Sequence, residues 1–158
     1  MRRRTKSFLR LVAGLLAVSF GGAAFAAEDA VLSAETVNGS PRVIVDFEDN
    51  VASVTAQAEF ISSVVIIRFD TPMVADASEL AGEIGPDAAM ARLDPDGMAL
   101  RIAMRRDTVP RISTSYDVVA IDLLRPGQTP PPSVVSPREI REREAARVAA
   151  AQPAAPPP

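Results

Sequence analysis

The chain has 158 residues, enough for one domain with tails, and 47% of it is hydrophobic, enough to build a core. It contains neither Cys nor His, which excludes disulfides, thiol nucleophiles, Cys or His metal sites and imidazole acid–base catalysis together. The formal charge of −3 is unevenly spread, because five of the 17 basic residues (Arg2, Arg3, Arg4, Lys6 and Arg10) fall in the first ten positions.

That basic start runs into the apolar LVAGLLAVSFGG and then into Ala24-Phe25-Ala26, a small-x-small site. The pattern predicts a secretory signal peptide over residues 1–26, cleaved after Ala26, and therefore a periplasmic or secreted protein. No Cys follows the site to carry a lipid. Membrane attachment is expected only if the segment is retained as an anchor, and Gly21-Gly22 interrupts an apolar run already short for a bilayer. Removing the five leader cations from 17 leaves 12 basic residues, all Arg, against 20 acidic ones, a net −8. A domain this acidic has no long-range attraction for nucleic acid.

After the leader, Ala30 to Val37 reads as a first strand, stopped by Asn38-Gly39-Ser40-Pro41. Arg42 to Phe47 is a second strand and Val51 to Ala56 a weaker third. Phe60 to Phe69 is rich in Val and Ile on both parities, which suits one central strand covered on both faces. A helix is predicted from Asp76, with Glu79 at capping-box spacing. Its apolar stripe is Ala77, Leu80, Ala81 and Ile84, and Gly85-Pro86 ends it. Leu93 to Gly97 is a turn, Met98 to Met104 alternates as a strand, and Val118 to Leu124 closes the set.

Residues 126–158 hold nine of the 14 prolines and much Ala, a composition that cannot bury enough apolar area to offset chain entropy. Within this segment Arg138 to Ala151 can form a helix, with Ser136 as N-cap, Pro137 at N1 and Glu139 at the capping-box position. The expected architecture is therefore mainly β: a small antiparallel sheet or sandwich with one short α-helix over 27–125, followed by a disordered Pro/Ala-rich tail over 126–158.

In PRVIVDF, Arg42, Ile44 and Asp46 share one strand face and Val43, Val45 and Phe47 the other. Arg42 and Asp46 are about 13 Å apart along the strand, too far to pair with each other. They are the first candidate ligand-binding residues, Arg42 offering a fork for a carboxylate or phosphate. Arg101 and Arg105 are the second pair, on one face of their strand within a local cluster with Arg106 and Arg111. Asp94-Pro95-Asp96-Gly97 opens like a Ca²⁺ loop but lacks the later ligands, so a plain turn is expected. Asp46, Glu48 and Asp49 form an acidic corner, read as a solvated turn. No metal site, no catalytic residue and no cofactor is expected. A Ser–Lys pair is excluded because no Lys survives leader removal, and no carboxylate pair stands out for glycoside hydrolysis.

RVIVDF, VVIIRFDTP, LDPDG followed by MALRIAM, and the closing VVAIDLL occur in that order. This series resembles the AMIN-type β domains of bacterial envelope proteins, particularly the divergent versions in secreted alphaproteobacterial proteins. The matching positions are Arg42 through Asp46 and Val118 through Leu123, with Asp122 as the closing Asp, and the resemblance covers about residues 35–125. The resemblance implies a β-sandwich-like fold that targets envelope proteins to peptidoglycan or a division site, without catalysis. The function expected is thus that of an exported, non-enzymatic envelope module. Two alternatives stand beside it: an interaction adaptor whose tail carries the contact, and, more remotely, a small carboxylate hydrolase.

Overall fold

The computed structural model describes residues 26–47 and 53–151. The expected leader up to Phe25, Glu48 and Asp49 of the acidic corner, the start of the weak third strand and residues 152–158 lie outside them.

The chain folds as a β-sandwich. Its strands are β1 (Glu28–Val37), β2 (Ser40–Phe47), β3 (Ala56–Ile61), β4 (Val64–Phe69), β5 (Met73–Val74), β6 (Ala88–Leu93), β7 (Ala99–Met104), β8 (Val109–Ser115) and β9 (Val118–Leu124). One sheet has the order β5-β1-β2-β9-β8 and the other β3-β4-β7-β6. Every pairing is antiparallel except the short β1–β5 contact.

Strand alternation builds the core between the sheets. Val43, Val45 and Phe47 of β2 and Val119, Ile121 and Leu123 of β9 point inward from one sheet. Val65, Ile67 and Phe69 of β4 and Leu100, Ile102 and Met104 of β7 meet them from the other. Phe47 and Phe69 cross the interface edge to face, with centroids 6.0 Å apart.

Three expectations change. The run from Phe60 to Phe69 is not one strand: it breaks at Ser62-Ser63 into the β3–β4 hairpin. Both serines have positive φ, 49° and 64°, the turn geometry whose twist matches that of the flanking strands. The helix α1 covers only Leu80–Ile84. Asp76 does not cap it; its carboxylate instead accepts the Ser78 amide at 2.8 Å and holds a local turn, which delays the helix. Leu80 and Ile84 still bury the expected stripe, and Glu83 accepts the Ala34 amide of β1 at 2.8 Å, where β5 is too short to do so. β5, β6 and β8 are additional strands.

The chain after β9 turns at Pro126-Gly127 and runs back across the outer face of its own sheet. Pro132 O accepts from Arg42 at 2.6 Å, and the Val134 and Ser136 amides donate to Ser113 Oγ and Ser115 Oγ at 3.2 and 2.9 Å. This strap explains why all seven residues of β9 are buried: core lies on one side and the strap on the other. The helix α2 (Pro137–Ala151) follows. Ser136 caps it as expected, accepting the Glu139 amide at 3.0 Å. Glu139 does not reach back to the Ser136 amide. Ser115 Oγ stands between them, accepting from Ser136 N and donating to the Glu139 carboxylate. The early part of the segment expected to be solvated is therefore held to the sheet, while Ile140 to Ala150 is exposed throughout.

Candidate functional site

Arg42 is 6% exposed on the outer face of the five-stranded sheet. Register places it opposite Asp122 of β9, and the two pair bidentately: Nε to Oδ1 at 2.7 Å and Nη2 to Oδ2 at 3.2 Å. The opening Arg and closing Asp of the sequence pattern are thus one buried ion pair, roofed by the strap. With Pro132 O also on Nη2 at 2.6 Å, both the Nε and Nη2 groups of the guanidinium are engaged. Asp46 lies half-buried two pairs along the same face, opposite Val118.

The basic cluster read from Arg101 to Arg111 is divided between the sheets. Arg101, on the outer face of β7, is bidentate to Asp94 at 2.8–2.9 Å. Arg105 follows the end of β7, exposed, and donates to Pro86 O at 3.1 Å. Arg106 pairs with Asp87 at 2.8 Å. Arg111 sits in the other sheet, opposite Asp122 on β8. The turn at Asp94–Gly97 is closed by the Gly97 amide on Asp94 O at 2.9 Å, and its carboxylates serve Arg101 and the Met98 amide.

The outer face of the four-stranded sheet carries a feature that sequence reasoning missed. The registers align Ile61, Val64, Ala103 and Met90 into one apolar row from edge to edge. The next row is Glu59, Ile66, Arg101 and Arg92. Ile61 and Met90 are half exposed, at 50% and 55%, and with Ile66, Arg92 and Arg101 they line a shallow groove of about 310 Å³. Arg92 stands directly opposite Arg101, an unfavourable like-charge pairing relieved by Asp94. Arg92 itself makes no hydrogen bond or ion pair among the described residues. The signal for this face lay in AAMARL, where Met90 and Arg92 alternate with small residues. Its low β-propensity hid the strand.

The bonds from Arg101 hold the Asp94 carboxyl below its ordinary value of 3.8. A carboxyl depressed on folding contributes stability that is present above the unfolded value and is lost as pH falls through the folded one. Asp94→Asn is therefore expected to lower Tm at neutral pH and to flatten the fall below about pH 4. Thermal scans from about pH 7 to pH 2 check this, because the curves of the two proteins should converge at the acid end.

Compared with known proteins, the chain matches no family model, no curated protein and no solved structure. No helix among the described residues is long and apolar enough to cross a membrane.

Proposed function

We propose that this protein is an exported, non-catalytic cell-envelope module that binds peptidoglycan through the outer face of its four-stranded sheet. The reading rests on one observation: an apolar row open at both edges lies beside Arg92, a cation with no bonded partner among the described residues, and beside the Arg101–Asp94 pair. An apolar floor with a guanidinium at its rim suits a ligand carrying methyl groups and a carboxylate, as the Ala-containing stem peptides of peptidoglycan do. Arg42 and Asp46 belong to the opposite sheet, and Arg42 acts there as a structural residue.

A second reading assigns the contact to α2, with the sandwich as spacer. It is favoured by the exposed Ile140 and Val148, eight residues apart on one helix face.

Co-sedimentation of the mature chain with isolated sacculi separates the two. Saturable pelleting is expected, weakened about tenfold or more by Met90→Asp with Arg92→Glu and unchanged by Ile140→Asp with Val148→Asp. The reverse pattern would move the contact to α2. Absence of pelleting by the unaltered chain would overturn peptidoglycan as the ligand.

A further inference from the structure

The strap is held by a register, not by general stickiness. Three cross-strand rows run over the outer face of β2, β9 and β8: Arg42–Asp122–Arg111, Ile44–Ala120–Ser113 and Asp46–Val118–Ser115. Pro132 O bonds in the first row, Val134 N in the second and Ser136 N in the third. The strap advances two residues per row, as an extended chain does, and runs parallel to β8. The serine hydroxyls take the place of a backbone ladder.

Proline fits the first row for a chemical reason. Above a buried guanidinium a strap needs an acceptor and has no use for a donor. Pro131 and Pro132 present carbonyls without N–H groups, so none is left buried and unpaired. Where the sheet's groups change from a charged donor to serine acceptors, the strap changes from proline to residues that carry an N–H. The face therefore reads a chemical pattern: an extended Pro-rich stretch followed by two alternate amides and a helix cap.

We propose that this face is a binding groove for an extended proline-rich segment, and that a second copy of the chain can supply that segment in place of the chain's own residues 130–136. Each copy carries one groove and one strap, so reciprocal exchange keeps every contact within a closed two-fold pair. None of the groove bonds depends on the hinge. The hinge is a four-residue turn at Arg125–Gln128, with Gly127 at φ 83° and two bonds of its own, Gln128 N to Arg125 O at 3.0 Å and Arg125 N to Gln128 Oε1 at 3.1 Å. Opening that turn releases strap and α2 as one arm, because Ser136 at the strap's end caps α2; the Arg138 guanidinium over the Tyr116 ring, at 5.4 Å, is a contact to the body that must part with the strap and re-form on the partner copy.

The absence of cysteine makes the test clean. Ser113→Cys and Val134→Cys place two thiols across the groove. In one chain at micromolar concentration they are expected to close into a cross-linked monomer, and failure to close would overturn the groove. The two single variants are then mixed at about 1 mM, near the effective concentration of a short tether, incubated, diluted and oxidised. A mixed disulfide dimer that rises with incubation concentration is expected, several-fold above a control pairing Ser113→Cys with Val148→Cys. A yield equal to the control would overturn exchange between copies. In the unaltered chain the Val134 and Ser136 amides should exchange slowly with solvent, and Ser113→Ala with Ser115→Ala should remove that protection. Fast exchange in the unaltered chain would overturn the groove without a cysteine. None of these readouts involves peptidoglycan, so they stand or fall apart from the envelope-binding reading.

Discussion

Replacing Arg42 by Ala is expected to cost about 3–5 kcal/mol of folding stability, the range for removing one member of a buried ion pair. Three losses combine. The Asp122 carboxylate, on a residue only 4% exposed, is left without its bidentate partner at 2.7 and 3.2 Å. Pro132 O loses its donor, which loosens the first row of the strap. The aliphatic stem of Arg42 leaves space between β2 and the strap. Asp122→Ala should cost a similar amount, because it strands a buried guanidinium instead. Changing both together, Arg42→Met with Asp122→Leu, should recover most of the loss, since an apolar pair of similar volume avoids burying a lone charge. Urea unfolding of the four proteins measures both costs and the recovery. A cost below about 1 kcal/mol for either single change would mean that the pair is solvated, and so that the strap does not roof it.

The same pair shows how far the sequence could be read. Alternation in RVIVDF separated Val43, Val45 and Phe47 from Arg42, Ile44 and Asp46, and the runs MALRIAM and VVAIDLL located β7 and β9, because strands with one face in the core obey period two. The mainly β fold class followed from these, and the sandwich was one of the two packings it allowed. What period two does not encode is the partner strand. Arg42 reads as a free fork along its own strand, and only the β2–β9 register, 80 residues apart in sequence, turns it into half of an ion pair. β8 was hidden by Pro110, which argues against a strand interior. β8 forms the edge of its sheet, where a missing N–H costs no ladder bond. The β3–β4 turn was hidden because Ser-Ser is a weak signal beside Asn-Gly. The strap was misread on composition: proline-rich chain usually stays solvated, yet here the missing N–H groups are what allow it to lie on a buried arginine. On the four-stranded sheet, the Arg101 face was legible by parity, whereas the row from Ile61 to Met90 exists only after three registers are known.

Gly97→Ala is expected to destabilise the protein by about 2–4 kcal/mol, combining left-handed backbone strain with the loss of a buried hydrogen bond. Gly97 has φ 70°, and a Cβ built on it meets Met73 O at 2.3 Å, Met73 N at 2.8 Å and Met73 C at 3.2 Å. These are backbone atoms, so no side chain can swing aside to make room. The contact is close because the Met73 amide donates to Gly97 O at 3.0 Å, which ties β5 to the turn before β7 and seats the Met73 side chain, 2% exposed, in the core. An added methyl must push β5 away, and that breaks this bond and opens the space Met73 fills. Gly39→Ala separates the two causes. Gly39 has φ 79°, much like Gly97, but its Cβ would meet nothing within 4 Å. It should therefore cost only the conformational part, about 1–2 kcal/mol. Denaturant unfolding of both variants gives the difference directly, and that difference measures the close approach of β5 to the turn. Equal costs would mean that the Met73 backbone does not lie against Gly97, and the link from the five-stranded sheet to the Asp94 turn, and through Asp94 to Arg101, would have to be redrawn.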